Sequence, residues 1–342
     1  MKALFRQLLT GALANSASSR LLRPLWRGRA SIFMLHRTTT FPDVPPDRMP
    51  ELIGTSVKAL RSAGATLTSV RNLFEMASRG LTPPPGSVAF TVDDGYWDQA
   101  TIATAFLRND CPVTIFLVSG FMDGVLWPWD EKLAYAVSST SRPQLEIPSL
   151  QRRYDLATRT QKNLAIQQLQ DACKTLPWQH ADQLMHEICR QAGIDPSDSP
   201  PPAHRPIGWS DARALEREGV DFGPHSVTHR ITSRLSHDEA SHEIVHSLER
   251  LRAELVRPTP VYAWPTGRAQ DFTERDVLLA RKHGLLGAVS AETGYSDFKS
   301  AIKAQNELFA IRRFAFASEA DVNVQYGTSI EELKNRVRGY SY

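Results

Sequence analysis

The stretch Val88-Ala89-Phe90-Thr91-Val92-Asp93-Asp94-Gly95 decides the fold. Its first five residues are apolar except for Thr91, and so short a run reads as a buried strand. The strand runs straight into two carboxylates and a glycine. Working outward, residues 97–108 have helical spacing, and Pro112-Val113-Thr114-Ile115-Phe116-Leu117-Val118 reads as a second buried strand. Upstream, Ser31-Ile32-Phe33-Met34-Leu35 is another, ending at His36-Arg37. Between them lie a helix over 51–63, stopped by Gly64, and a strand tip and helix around Leu67, Val70, Leu73 and Phe74. Strands alternating with helices predict a parallel α/β sheet or barrel. In such folds chemistry sits beyond the C-terminal strand ends, where His36 and the Asp93-Asp94 pair fall.

The alternation stops over 120–203. This stretch holds Trp127, Trp129 and Trp178, with helical spacing through Leu164, Leu169, Leu176, Leu184 and Ile188 and no convincing strand. It closes on a Pro/Ser/Asp-rich loop and reads as a mainly helical insertion. Alternation then resumes. Ser210 is a suitable N-cap for a helix to Glu218 that Gly219 ends, and Val220-Asp221-Phe222-Gly223 is a short strand leading into Pro224-His225. A charged helix over 237–256 follows, then a strand at 260–264, a helix at 273–283, and strands at 286–290 and 309–316. The expected division is a barrel from 31–119 and 204–320, the insertion, and a C-terminal helix or tail over 321–342.

A formal charge of +3 without a clustered basic stripe excludes a nucleic-acid partner. Three cysteines without tight spacing argue against a disulfide framework or a cysteine-type zinc site. No apolar run approaches the ~20 residues of a membrane span. Residues 1–30 carry six basic and no acidic residues. They read as a basic amphipathic segment that can touch a membrane peripherally, or equally as a helix docked on the domain. The apolar run is short for a secretory signal. The expected location is cytoplasmic, at the inner membrane face, with an extracytoplasmic site left open.

Three clusters carry chemistry. Adjacent residues leaving a strand point in different directions, so Asp93 and Asp94 can divide two tasks, one binding a metal and one acting as a base. An Asp-Asp-Gly turn is the competing reading. His225-Ser226-Val227-Thr228-His229 places two imidazoles four apart, as on one face of a helical turn. With a carboxylate they make a two-histidine, one-carboxylate site for zinc or another divalent ion. His242 and His246 share the spacing but lie in a run of exposed charged helix, where a solvated face is the better reading. Lastly, Trp264-Pro265-Thr266-Gly267 at a strand end offers either backbone N–H groups to an oxyanion or a plain turn.

Together these residues resemble the polysaccharide deacetylase family, the nodulation-factor deacetylase homology domain. Thr91-Val92-Asp93-Asp94-Gly95 is similar to its Thr-Phe-Asp-Asp-Gly motif, and His225 to His229 to the looser form of its paired-histidine motif. Phe33-Met34-Leu35-His36-Arg37 and Trp264-Pro265-Thr266-Gly267 resemble motifs of a circularly permuted branch with an early catalytic histidine. The resemblance covers about 31–119 and 204–316 and leaves out the insertion. It implies an α/β fold, a distorted barrel of about seven β/α units. It also implies Asp93 as general base, His36 as general acid, Asp94, His225 and His229 as ligands of a divalent metal, zinc foremost, and Arg313 as the residue orienting the base. Arg312 is a rival for that last role. Tyr96, Trp264, Thr266 and Gly267 fall on the substrate and oxyanion side. Val92 and Thr266 depart from the family's phenylalanine and tyrosine.

The implied reaction removes an acetyl group from an N-acetylated sugar of a polysaccharide or lipid-linked glycan. Hydrolysis of a small amide, cleavage of an O-acetyl ester, and glycan binding without catalysis are the alternatives.

Overall fold

The computed structural model describes residues 27–328, apart from 42, 195, 196 and 198. Most of the amphipathic segment expected at 1–30, and the tail beyond 328, lie outside the described residues.

Strand β1 (Arg29–Leu35) precedes helix α1 (Met49–Ser62), strand β2 (Thr66–Leu67), helix α2 (Val70–Ser78) and strand β3 (Ser87–Asp94). Helix α3 (Gln99–Leu107), strand β4 (Thr114–Leu117) and the short helix α4 (Ser119–Met122) come next. Then follow α5 (Trp129–Ser139), β5 (Gln144–Ile147), β6 (Arg152–Asp155), α6 (Arg159–Thr175) and α7 (Trp178–Ala192). The chain returns through α8 (Trp209–Glu218), β7 (Asp221–Pro224), α9 (His237–Glu254), β8 (Val261–Ala263), α10 (Glu274–Lys282) and β9 (Gly287–Thr293). It finishes with β10 (Ser296–Asp297), α11 (Phe298–Lys303), β11 (Ile311–Ala315) and α12 (Ala320–Gly327).

Seven strands pair in parallel in the order β7-β4-β3-β1-β11-β9-β8, which is chain order once β1 is joined to β11. The result is a nearly closed barrel. Between β7 and β8 the ladder is missing, and the Thr259 N–H donates to the Phe222 carbonyl across the seam. The period of two sorts side chains between interior and helix layer. On β3, Val88, Phe90 and Val92 join the outer core with Phe33, Leu35 and Phe314. Ala89, by contrast, joins the inner cluster with Ile32, Phe116, Tyr262 and Ile311. Thr91 and Asp93 follow Ala89 on that inner face.

Helix α1 buries Met49, Ile53, Val57 and Leu60, one turn apart, as its pattern predicts. Helix α8 begins at Trp209 behind Gly208 rather than at a Ser210 cap, so Ser210 lies inside its first turn. Gly219 ends it in the left-handed region.

Between β4 and β7, α5, α6 and α7 pack on a core of Trp129, Leu133, Leu145, Tyr154, Leu169 and Ile188. One element there escaped the sequence reading, the antiparallel hairpin of β5 and β6. Its strands are four residues long and alternate exposed and buried positions only over Gln144–Ile147, too short a pattern to stand out. No helix among the described residues is long and apolar enough to cross a membrane.

Gly287 marks the tightest packing at the bottom of β9. A Cβ there would lie 2.3 Å from the Phe74 ring and 2.4 Å from the Leu308 carbonyl oxygen. Gly287→Ala should cost about 1–3 kcal/mol in urea unfolding, with no loss of site geometry, since the residue sits at the barrel end away from the cleft.

Candidate active site

The Asp-Asp-Gly corner is a strained turn clamped by a glutamine. Asp94 and Gly95 have φ of 94° and 95°. For Asp94 this is a sparsely populated conformation that costs about 1–3 kcal/mol and persists only where surroundings enforce it. The buried side chain of Gln99 supplies the enforcement. Its Oε1 accepts the Gly95 N–H at 2.9 Å and its Nε2 donates to the Asp93 carbonyl. Gly95 also has no room for a side chain, since a Cβ would meet Leu117 at 2.8 Å. Asp93 thus keeps the inner face of β3 while Asp94 swings to another direction.

Inside the barrel Asp93 meets Arg313. The guanidinium donates to both carboxylate oxygens, at 2.8 and 2.7 Å, and also to Thr91 Oγ1 and the Ser290 carbonyl. Arg312, next door, points outward and is exposed, so strand alternation decides between the two arginines. Burial pushes the Asp93 carboxyl up, but the charge and hydrogen bonds of Arg313, with His225 and His36, overcome this and hold it at about 2.

Asp94, His225 and His229 converge, all buried. The Nε2 atoms of His225 and His229 lie 3.5 and 3.4 Å from Asp94 Oδ1. That buried oxygen has no hydrogen-bond partner among the described residues. The far side of each ring faces an acceptor. His225 Nδ1 lies 2.7 Å from the Ala263 carbonyl, which can only accept, so that Nδ1 donates and Nε2 is the nitrogen turned toward Asp94. His229 Nδ1 lies 3.2 Å from Asp130 Oδ1. Burial disfavours charge on His229, but Asp130, Asp94 and Asp93 raise its pKa nonetheless. Two imidazoles and an orphaned carboxylate oxygen are a donor set that fits a divalent ion.

The 225–229 segment is not the helical turn its spacing suggests. Ser226 and His229 have φ of 69° and 60°, so the chain loops, with Ser226 Oγ accepting the His229 N–H at 2.8 Å. Glu243 holds the loop by accepting the N–H groups of Val227 and Thr228 and the Thr228 hydroxyl. It lies on α9 between His242 and His246, which are exposed and away from the site. Glu243 escaped the sequence reading, although it falls on the buried stripe of Ala240, Ile244, Ser247 and Leu251. Gln99 and Asp130 escaped it as well. From the other side α4 clasps the loop through the N–H groups of Ser119 and Gly120.

A cleft of about 240 Å³ gathers Met34, His36, Asp93, His225, His229, Trp264, Thr266 and Arg313. His36 continues the inward row of Ile32 and Met34. The wall opposite comes from the insertion, through Asp130, Gln170 and Lys174. The insertion's tryptophans are packing residues. Trp127 and Trp129 are buried, and Trp129 Nε1 donates to the His229 carbonyl at 3.0 Å.

Two of the expected substrate residues need correction. The Tyr96 ring is fully buried against Phe121 and beneath Arg37, so only its main chain can serve the site. The Gly267 N–H already donates to the Pro265 carbonyl at 2.7 Å and is no oxyanion donor. Gly267 is needed for its tight turn, where a Cβ would lie 2.6 Å from the Ala291 nitrogen. Trp264 and Thr266 do line the cleft. Asp271, buried, ties their turn by accepting the Thr266 hydroxyl and the N–H groups of Arg268.

The sequence profile described as polysaccharide deacetylase matches residues 80–288. Among solved structures, the fold is similar to the Streptococcus pyogenes deacetylase PplD, solved in complex with acetate. The TM-score is 0.56 at 14% identity, covering 88% of this chain and 98% of that one. IcaB from Ammonifex degensii gives 0.51 at 10% identity, with 88% and 97% covered. A de-N-acetylase from Aggregatibacter actinomycetemcomitans gives 0.50 at 11%, with 85% and 96% covered. No curated protein matches the chain. At such identities these likenesses establish the barrel fold alone. The profile spans more than half of the chain and includes Asp93, Asp94, His225 and His229, and on that match the chain belongs to the polysaccharide deacetylase family.

Proposed function

We propose that this chain is a metal-dependent deacetylase of an N-acetylated sugar in a glycan. The observation carrying the reading is the orphaned Asp94 oxygen facing two imidazole nitrogens, one strand residue away from a carboxylate locked on an arginine. Asp94, His225 and His229 would hold the ion, zinc being the one this donor set favours. An ion held there would supply Lewis-acid polarisation of the amide carbonyl and a lowered pKa for water.

The remaining steps belong to side chains. Asp93, ionised at every working pH, takes the proton from the attacking water. A base held at about 2 is weak, so what Arg313 secures is charge and aim rather than basicity. His36, just past the end of the adjoining strand and in the same cleft, protonates the amine as the C–N bond breaks, leaving acetate and a free amino sugar. Trp264, buried with its Nε1 on the Phe309 carbonyl and its ring stacked on Phe272, holds the Pro265-Thr266 turn rigid at the cleft. The tetrahedral oxyanion is assigned to a main-chain N–H, at Thr266 or Tyr96.

Acetate release from N-acetylated oligosaccharides should cease with a chelator and return with zinc. Asp93→Asn should keep one metal per chain by elemental analysis while kcat falls about 10²–10⁴-fold, and His225→Ala should lose both metal and turnover. An active His225→Ala protein without metal sinks the scheme.

The pH response tests Arg313. The Asp93 pKa of about 2 lies below the ordinary carboxylate value of ~3.9. Its pairing therefore adds stability in full above about pH 4, lost as pH falls toward 2. Arg313→Lys keeps a charge but not the two-point bond. The Asp93 pKa should rise, moving the acid limb of kcat/KM to higher pH, and an unmoved limb would dissociate Arg313 from the base.

A further inference from the structure

We propose that Gln170 and Lys174 form a subsite for an anionic group on the glycan, carried by the reacting sugar or its immediate neighbour. This rests on the deacetylase reading and adds a substrate class to it. The two residues stand one turn apart on α6, so they share a face, and both line the cleft opposite Met34, His36 and Trp264. The Gln170 amide donates to the Asp130 carbonyl at 3.0 Å, which fixes its side chain against the wall.

Charge pairing within the cleft singles out Lys174. Asp93 is answered by Arg313, Asp94 by the two histidines, and Asp130 by His229. The Lys174 ammonium lies 3.8 Å from Asp171, which stands on the same helix and is well exposed. An exposed pair of this kind contributes about 0–1 kcal/mol and yields readily to a better partner. A divalent ion on the three ligands would add further positive charge. The cleft is small beside the ~300–1,000 Å³ of typical ligand pockets, so an anion meeting Lys174 is close to the acetamide under attack. A carboxylate of a uronic acid and a sugar phosphate offer the same chemistry.

Acetate release by the full, zinc-loaded chain should be compared on three substrates. These are neutral N-acetylated chitotetraose, an oligosaccharide alternating N-acetylhexosamine with hexuronate, and N-acetylglucosamine 1-phosphate. At low salt kcat/KM should favour one of the acidic substrates over the neutral one, and which of them wins identifies carboxylate or phosphate. Lys174→Gln should narrow that ratio by roughly ten- to a hundredfold, the range of one charged hydrogen bond, mainly through KM. Lys174→Arg should preserve it. Equal rates on neutral and acidic glycans, or a ratio unchanged in Lys174→Gln, overturn the subsite. So does a Lys174→Gln protein that loses only thermal stability, which would make the lysine a helix-end charge. Release from the neutral substrate alone leaves deacetylation standing without the subsite. Release from none of the three removes the deacetylase reading, and the subsite with it.

Discussion

The bond between Asp93 and Arg313 is the constraint on which the rest of the site depends. It joins the third strand to the last across the barrel interior, with both side chains nearly inaccessible to water. A buried pair of this kind adds little net stability over an apolar one, yet removing one partner strands the other at a cost of about 3–5 kcal/mol. Its value lies in position. Arg313 is itself fixed by Thr91 and by the Ser290 carbonyl, so the carboxylate sits at a defined height in the barrel mouth. From there the strained corner at Asp94 and Gly95 turns the second carboxylate toward the histidines.

Much of this was legible in the sequence because the signals were local. Apolar runs marked the strands, and the charges that ended them marked the barrel mouth. Arg312 and Arg313 were not separable, since Phe314 and Phe316 on one face of that strand are matched by Ile311 and Ala315 on the other. The inward direction became clear only with Ser290 and Asp93 in place. The residues that escaped act through contacts that no local pattern of apolar and charged positions announces. Gln99 grips a corner behind it, Asp130 reaches His229 from another subdomain, and Glu243 holds a loop from a helix whose neighbouring charges are all solvated. The paired histidines were found for a partly mistaken reason. Four-residue spacing suggested a helical turn, whereas two left-handed residues and the Ser226 hydroxyl bring the rings together in a loop.

The insertion has an unexpected share in the site. Trp129 and Asp130, at the start of its first helix, hold the main chain and the ring of His229. Gln170 and Lys174 close the cleft. The barrel supplies the proposed acid, the proposed base and two of the three candidate ligands unaided, while the third is oriented by a segment that the resemblance to the family left out. In the proposed reading catalytic geometry and substrate choice are thereby coupled, because the subdomain that walls the cleft is also the brace of a candidate ligand.

Anomalous diffraction at the zinc edge from crystals of the zinc-loaded protein examines the centre of this reading. If Asp94, His225 and His229 are the ligands, one peak lies about 2 Å from a carboxylate oxygen of Asp94 and from both Nε2 atoms, with the bond from Asp93 to Arg313 intact beside it. A peak elsewhere, or an ion that leaves either histidine unligated, means that these three residues are not the metal site and that the mechanism built on them is wrong.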